Sequence, residues 1–552
     1  MIKIKNPILL LKNWKDAIWI GLFSLIFYTL TDVQSFSFTH DGIRYLENFK
    51  HLYVQESLYL FHPHHFLVNP TIKWIANLFH INIFEPESLI SLFKWINTIC
   101  FSLAIAITYL IFSNSFKLPK KTAYLGSVSI LVSYGIWAYG SSLEIYGFSL
   151  CLGLGCLYLL LSDKLSTSRL RLISLGIIHC LAVLFHISYI LIGPVILYQI
   201  YSYSPKKKWL SNSLIYFISA SGLFFITYIS YIYLSFKKNI FSVFPQDILT
   251  WFSLNEGLYY AMSIIKLILH PLIAFFKVLF GGYYLFSIPT FQTFLTKVFP
   301  LNFLSDDFFL THSLPLPLAY TLLIITLLFS LFIIFIIVVS IITFIKTKKP
   351  IKQMLIPIVL LFVLFNLLAF FSNPQNSDFY LFQVFLLWIW IFSLLSIQTQ
   401  LRKKTLVIIP IMLFFISFSG NIFFLMNRNN DFFYSYATHL DSLSSPNDLI
   451  INDYSYAISK YIAYFTNKKN TIYLTSLPKP FQTKLKERID NTLENGHRVL
   501  ILDSAVFLTS FSRLRYNINQ KDISNFWKPY TPHFKKYQIN KEQFLFILEK
   551  NK

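Results

Sequence analysis

Uninterrupted apolar runs of about 18 or more residues, long enough for a helix to cross a bilayer, recur along this chain. Lipid offers no partners for exposed backbone groups, so such runs must fold as helices. Hydrophobic residues make up 55% of the 552 residues and charged residues only 13%. That balance excludes a soluble globular protein. The sequence therefore predicts a mainly α-helical, polytopic membrane protein.

The basic residues predict how the chain is threaded through the membrane. Every second connecting segment, starting with the N-terminus, is basic, and together these segments hold 20 Lys and Arg against Asp16 and Asp163. Basic loops stay on the cytoplasmic side, which puts the N-terminus inside and the C-terminus outside. The net charge of +22 is then a topology signal, and no nucleic-acid partner is expected. We predict eleven spans, at 17–31, 88–113, 122–138, 143–161, 172–185, 187–201, 211–235, 316–345, 353–371, 379–397 and 405–426.

Two parts of this topology leave alternatives open. The fifth and sixth spans are short enough to form a broken pair. In residues 236–315 the charge pattern requires an even number of crossings. The favoured interpretation is a helix over 259–280 lying in the interface, with Trp251 and Tyr259-Tyr260 as anchors. The alternative pairs this helix with a second short segment near 283–300.

The composition becomes polar from about Asn427. Three short apolar segments, at 448–453, 470–475 and 498–503, alternate with helical patterns over 455–466 and 480–495. This alternation predicts a small α/β domain with a parallel sheet. We expect residues 1–426 to form the transmembrane domain and residues 427–552 an extracytoplasmic domain with an accessory role such as acceptor docking.

The segment 32–87, called the outer loop below, carries most of the polar residues of the N-terminal half. It contains Thr39-His40-Asp41-Gly42-Ile43-Arg44-Tyr45 and Phe61-His62-Pro63-His64-His65. Asp-Gly predicts a turn. Residues 43–54 then predict a short helix lying on the membrane, with Ile43, Leu46, Phe49 and Tyr53 facing the lipid or the bundle.

Asp41 and Arg44 suit the transfer of a sugar from a lipid phosphate. A carboxylate can take the proton from an acceptor hydroxyl, and a guanidinium can bind the phosphate leaving group. Just past the first span, both would lie at the membrane boundary, where the donor's lipid tail must remain. The structural alternative for Asp41 is a turn former or a helix N-cap.

Further polar residues are predicted on the same outer side. For His62, His64 and His65 we favour contact with substrate or phosphate, while a divalent metal site and a structural role stay open. The hairpin from Trp137 to Tyr146 carries Glu144 at the mouth of a span, where a charge is costly and usually functional. Asp378 begins a late span and is either an N-cap or a site residue. We predict substrate-binding roles for Arg44, Tyr45, His62, His64, His65, Glu144, Tyr146 and Asp378, and no certain cofactor.

These motifs and the topology resemble the GT-C superfamily of membrane glycosyltransferases, in particular bacterial proteins related to the protein O-mannosyltransferase and aminoarabinose transferase group. The loop motif of that family is Asp-Glu-x-Arg/His-Tyr/Phe. Here it reads Asp41-Gly42-Ile43-Arg44-Tyr45, with Gly42 in place of the second acid. The resemblance covers roughly residues 10–400.

The resemblance implies a glycosyltransferase of the bacterial inner membrane with its site on the outer face. It implies a polyprenyl-phosphate-linked sugar as donor and an envelope lipid, glycan or protein as acceptor. Asp41 would be the general base of a single inverting displacement, and Arg44 a phosphate or loop contact.

Three other classes stay open. A transporter or flippase would usually show repeats and polar residues at mid-membrane, neither of which is evident. A non-catalytic scaffold would make Asp41 dispensable. A polysaccharide ligase or polymerase would be expected to use Arg and His in a late outer loop.

Overall fold

The computed structural model describes residues 7–36, 42–43, 45–47, 49–50, 65–161, 168–205, 207–236, 264–298, 314–372, 374, 376–396, 406–452, 456–466, 470–474, 481–507, 520–538 and 544–550. Before residue 427 the described elements are helices. They are α1 (Pro7–Leu30), α2 (Val68–Leu78), α3 (Pro86–Leu110), α4 (Lys120–Leu131), α5 (Tyr134–Gly140), α6 (Gly147–Leu160), α7 (Arg169–Phe185), α8 (Ile192–Tyr203), α9 (Trp209–Phe236), α10 (Ile264–Phe280), α11 (Pro289–Val298), α12 (Leu316–Lys346), α13 (Lys349–Ser372), α14 (Leu381–Leu395) and α15 (Ile408–Ser417).

Six of the described helical segments are long and apolar enough to cross a membrane, judged by length and composition. Shorter apolar helices lie between them, and the predicted multi-pass helical architecture is confirmed. The count of eleven crossings and the orientation of the termini stay predictions. The six segments are Pro86–Ser115, Trp209–Thr227, Leu316–Lys346, Ile351–Ser372, Ser377–Leu395 and Ile408–Leu425.

The predicted broken pair has its break at His186. Helix α7 ends at Phe185, and His186 adopts an extended conformation with φ −158°. A 3₁₀ turn over Ile187–Leu191 then leads into α8. The ring Nδ1 of His186 accepts a hydrogen bond from the N–H of Ser188 at 3.2 Å. This bond satisfies a donor at the start of the new turn, which would otherwise lack an intrahelical partner.

Polar side chains of α3 fix the hairpin that follows α5. The amide nitrogen of Asn97 donates to the carbonyl of Tyr139 and, at 3.3 Å, to that of Ser142. The hydroxyl of Thr98 donates to the carbonyl of Gly140 at 3.0 Å. The last carbonyls of a helix have no intrahelical donors, so these bonds fix where α5 ends and where residues 141–146 begin.

Helix α10 packs one face against the bundle. A Cβ atom on Gly135 of α5 would lie only 2.5 Å from a methyl group of Val278, so the two helices meet at a position that requires glycine. The turn after α10 uses Gly281 and Gly282 with positive φ and is held by Asn421, whose Oδ1 accepts from Gly282 N–H at 2.9 Å. The anchors predicted for an interfacial helix, Trp251, Tyr259 and Tyr260, lie outside the described residues, and both arrangements of 236–315 stay open.

The C-terminal part contains the predicted α/β elements. Strands β1 (Leu449–Asn452), β2 (Thr471–Tyr473) and β3 (Val499–Leu502) alternate with helices, and β1 pairs in parallel with both neighbours. The helices of this part are α16 (Phe432–Leu443), α17 (Tyr456–Phe465), α18 (Phe481–Glu494), α19 (Asp503–Val506) and α20 (Gln520–Trp527).

The sheet is mixed, however, which corrects the prediction of a parallel sheet. Two further strands, β4 (Lys535–Gln538) and β5 (Phe544–Leu548), extend it in the order β2-β1-β3-β5-β4, and β5 is antiparallel to β3. Every residue of β4 is exposed, so this edge strand shows none of the apolar alternation by which a half-buried strand is recognised.

A second hydrophobic core joins the outer loop to the C-terminal domain. Ile43, Leu46 and Phe49 are at most 1% exposed and pack in one cluster with residues of α16 such as Tyr436 and Leu440. The predicted apolar face of the loop helix is thus confirmed for these three residues, and it faces protein. Tyr53 lies outside the described residues.

Candidate functional site

The structure describes five of the nine predicted site residues. Asp41, Arg44, His62 and His64 lie outside the described residues. Tyr45, His65, Glu144, Tyr146 and Asp378 are described, and four of them, all except Glu144, form or adjoin one site.

That site is a cleft, called the aromatic cleft below, at the N-terminal ends of α6, α14 and the turn before α8. The cleft is open at its mouth and has a cavity volume of about 30 Å³. One carboxylate and several rings line it, and the described lining residues include no Lys or Arg. They are Tyr146, Leu150, His186, Ser188, Tyr189, Phe365, Asp378, Phe379, Leu381 and Phe382.

Tyr146 and Asp378 meet across the cleft. The Tyr146 hydroxyl donates to Oδ2 of Asp378 at 3.0 Å, and the hydroxyl of Tyr139 interacts with the same carboxylate. Asn376, rather than Asp378, caps the 3₁₀ turn that precedes α14, because its side chain accepts from the N–H of Asp378. Asp378 therefore presents its carboxylate to the cleft instead of serving as the predicted N-cap.

Two histidine rings lie beside this pair. The ring centroids of His65 and His186 are 4.7 Å apart, and each lies within 6.0 Å of the Tyr146 ring. Nδ1 of His65 lies 3.3 Å from the carbonyl oxygen of Phe185 and donates to it. Nδ1 of His186 accepts from Ser188 N–H. The two rings thus use their Nδ1 atoms in opposite roles, as a donor in His65 and as an acceptor in His186.

His186 was not among the predicted site residues. The sequence signal is weak, because a single His between two short apolar runs more often lines no cavity. What identifies it is the break itself, because His186 is the extended residue between the two helical segments.

Glu144 lies in a different place from the other four. It is 2% exposed and belongs to a smaller cavity lined mainly by apolar residues of α2 and α3, with Asn97 as its polar neighbour. Glu144 also acts electrostatically on the hydroxyl of Tyr139, which interacts with Asp378 at the aromatic cleft.

A second polar cluster lies at the base of the outer loop. Lys94, whose side chain is 9% exposed, forms an ion pair with Asp32 just past α1. Gln34 donates to the same carboxylate, and Arg428 donates to the amide oxygen of Gln34 at 3.0 Å. Arg428 also pairs with Glu87. The cluster connects the two ends of the outer loop with the start of the C-terminal domain.

The metal interpretation of the histidine run finds no further support within the described residues. In that part of the chain there is no group of three or more His, Cys, Asp or Glu that could hold a metal ion. Two of the three histidines of the run, His62 and His64, lie outside it, so a divalent metal stays an open prediction.

Fold and site thus describe a multi-pass membrane protein with an aromatic, acidic cleft beside its first outer loop. No protein-family model and no curated protein matches the sequence. Among solved structures, the chain is similar to ArnT from Cupriavidus metallidurans in the apo state, with a TM-score of 0.47 and 9% identity over 96% of this chain and 97% of that one. ArnT bound to undecaprenyl phosphate aligns over the same shares at a TM-score of 0.39 and 9% identity.

The identity and the TM-scores are low. The function proposed below therefore depends on the cleft and the outer loop, not on these two similarities.

Proposed function

We propose that this protein is a glycosyltransferase that moves a sugar from a polyprenyl-phosphate donor to an envelope lipid, glycan or protein on the outer face of the bacterial inner membrane. The observation that carries the proposal is the junction between the outer loop and the aromatic cleft. The Tyr45 ring lies 6.2 Å from the ring of His65, which in turn adjoins Tyr146 and His186.

Chain connectivity supports a role for Asp41 at this junction. Gly42 and Ile43, which follow it directly, are buried. Tyr45 is only four residues after Asp41, and four residues span at most about 14 Å of chain. Asp41 is therefore separated from Tyr45 by at most about 14 Å of chain, and Arg44 is the residue next to Tyr45.

The proposed chemistry needs a base, a phosphate contact and a sugar site. Asp41 takes the proton from the acceptor hydroxyl. The acceptor oxygen then bonds to the anomeric carbon while the bond from that carbon to the phosphate oxygen breaks, with inversion. The leaving polyprenyl phosphate carries the electron pair and is stabilised by Arg44.

The cleft suits the sugar better than the phosphate. Its described lining carries the Asp378 carboxylate and no Lys or Arg, so a phosphate placed there would be repelled. Aromatic faces with a few hydrogen-bonding groups are what a small-ligand pocket needs for orientation. We assign Tyr45, His65, Tyr146 and Asp378 to substrate contact together with His186. Contacts from His62, His64 and Glu144 stay predictions from the sequence.

The test is the Asp41→Asn variant, matched to wild type in membrane expression. We expect the lipid-linked sugar to accumulate and one envelope glycan to disappear, both measured by mass spectrometry of cell extracts. Asp522→Asn is the matched control, because Asp522 is an exposed carboxylate on α20. If Asp41→Asn behaves as wild type while a deletion strain does not, the proposed mechanism is wrong, and a transporter, flippase or scaffold replaces it.

A further inference from the structure

The beginning of the outer loop is hydrogen-bonded to the end of the last predicted span and to the beginning of the C-terminal domain. The backbone N–H groups of Gln34 and Ser35 both donate to the carbonyl of Leu425, at 2.7 and 2.9 Å. The next N–H, of Phe36, donates to Oδ2 of Asp431 at 2.7 Å. Three consecutive backbone N–H groups of the loop are thus fixed a few residues before Asp41, the predicted general base.

Asp431 serves both parts of the molecule at once. Its Oδ1 accepts from the N–H of Tyr434 at 3.1 Å and so caps α16. Its Oδ2 accepts from the Tyr461 hydroxyl at 3.0 Å as well as from Phe36. The residue is fully buried. Burial raises the pKa of Asp431, and these donors act against that rise. A buried carboxylate that accepts this many hydrogen bonds is held in a single orientation.

Arg428 adds a second connection that reaches both ends of the loop. It donates to Gln34 near the start of the loop at 3.0 Å and pairs with Glu87 at its end. Its guanidinium lies 5.9 Å from the ring centroid of Phe36 and 5.3 Å from that of Tyr434. A planar guanidinium can stack on an aromatic ring and donate hydrogen bonds in its own plane at the same time. An ammonium has no plane with which to stack.

The middle of the loop also contacts the same domain, because Nζ of Lys50 lies 3.9 Å from the ring centroid of Tyr464. Ile43, Leu46 and Phe49 share a hydrophobic cluster with α16. In addition, the hydroxyl of Tyr464 donates to the carbonyl of Pro86 at 2.8 Å. The domain therefore contacts the loop at its start, in its middle and at its end.

On the basis of the function proposed above, we infer that Arg428 and Asp431 are positioning residues, through which the C-terminal domain holds the outer loop, and with it the Tyr45 ring, beside the aromatic cleft. They act through the loop and touch no substrate. The domain is then a part of the catalytic apparatus, beyond any role in acceptor docking.

The test measures the loop itself, by hydrogen–deuterium exchange of the full-length protein in detergent. The variants are Asp431→Asn, which removes a charge-assisted acceptor, and Arg428→Ala. We expect amide exchange in residues 32–50 to rise by about tenfold or more in both, with exchange in α12 unchanged. Should Asp431→Asn fail to fold, Arg428, whose side chain is 20% exposed, gives the answer through Arg428→Ala and the conservative Arg428→Lys. Unchanged loop exchange in the folded variants overturns the inference.

Asp448→Asn is the matched control. Asp448 is also buried and also accepts backbone hydrogen bonds, from Ser445 at 2.7 Å and from Arg498 at 2.9 Å. Both partners belong to the C-terminal domain. The Asp448→Asn change should raise amide exchange in β1 and leave amide exchange in the outer loop as in wild type. Equal loosening of the loop by this control would mean general destabilisation and would also overturn the inference.

Accumulation of lipid-linked sugar in cells provides the second readout. We expect Asp431→Asn to lower transfer by about 10- to 100-fold, because a small misplacement of reacting groups costs that much. When Asp431→Asn is added to the Asp41→Asn variant, transfer should fall no further, because both changes act through the Asp41 carboxylate. If the two changes lower transfer additively, Asp431 is not a positioning residue for Asp41. If the loop loosens in Asp431→Asn while Asp41→Asn leaves transfer unchanged, the proposed function fails and the structural connection remains.

Discussion

At the scale of single residues, the site depends on contacts between positions far apart in the sequence. Tyr146 and Asp378 are 232 positions apart and share a 3.0 Å hydrogen bond. Each was predictable as a polar residue on the outer side, but nothing local in the sequence indicates that the two side chains meet. The cleft is therefore a product of how α6 and α14 pack.

We expect Tyr146→Phe to lower transfer by about 10- to 100-fold. The change removes only the hydroxyl, and a hydrogen bond to a charged group contributes about 1.5 to 3 kcal/mol. Accumulation of the lipid-linked sugar in cells measures the effect. The control is Tyr158→Phe, which removes a hydroxyl that accepts from Asn114 at 3.2 Å, away from the cleft. Wild-type transfer in Tyr146→Phe would exclude this hydroxyl from the site.

At the scale of elements, close approach of α6 to the turn before α8 shapes the wall of the cleft. A Cβ atom on Gly153 would lie 2.2 Å from Cε1 of Tyr189. The ring of Tyr189 packs against Phe365 and Phe382, with centroids 5.5 and 5.4 Å away. Because all three rings line the cleft, any change at Gly153 is transmitted to it.

Gly153→Ala should displace the Tyr189 ring and destabilise the protein by about 1 to 3 kcal/mol, the usual cost of overpacking. The measurement is thermal unfolding in detergent together with transfer in cells. Gly222→Ala is the control, because a Cβ atom there would meet nothing within 4 Å. Alanine at that helical position should stabilise by up to about 1 kcal/mol. If both variants unfold at the same temperature, the contact with Tyr189 does not constrain α6.

The start of the sheet contains a carboxylate whose titration should be visible in solution. Burial by itself would raise the pKa of Asp448, but the N–H groups of Ser445 and Arg498 and the guanidinium of Arg498 lower it below its usual value. The group therefore contributes stability that is present above the unfolded-state pKa, about 3.9. That stability is lost as the pH falls through the lower folded-state pKa.

Hydrogen exchange of β1 and β3 in wild type and Asp448→Asn should show this dependence. At pH 6 we expect faster exchange in the variant. The difference should shrink as the pH falls below about 4, when the wild-type carboxyl takes up its proton. A difference that is constant from pH 3 to pH 7 would mean that the charge of Asp448 does not stabilise the sheet.

At the scale of the whole molecule, the sequence predicted the helices well and their contacts poorly. Apolar runs identify helices because burial in lipid depends on composition alone. The described helices follow most of the predicted spans, but the span predicted at 122–138 is divided into α4 and α5. The loop face with Ile43, Leu46 and Phe49 was also predictable from helical periodicity. That this face meets α16 was not, and β4 was missed because its exposed residues carry no apolar pattern.

The predicted orientation can be tested by thiol labelling in right-side-out membrane vesicles. The four native cysteines are buried or half-buried, so single cysteines at exposed positions can be compared against a low background. We expect Lys484→Cys, in the C-terminal domain, to react with a membrane-impermeant maleimide. Lys207→Cys, in a predicted cytoplasmic loop, should react only after permeabilisation. The reverse pattern would invert the predicted topology.

The hydrogen bond from Phe36 to Asp431 joins residues 395 positions apart, which has a consequence for synthesis. At a ribosomal rate of about 5 to 20 residues per second, the outer loop waits about 20 to 80 s after its own synthesis before its partner exists. Through that interval the apolar side of the loop, with Ile43, Leu46 and Phe49, lacks its final packing. Every new copy of the protein therefore completes the packing of this early segment only after the last part of its chain has been made.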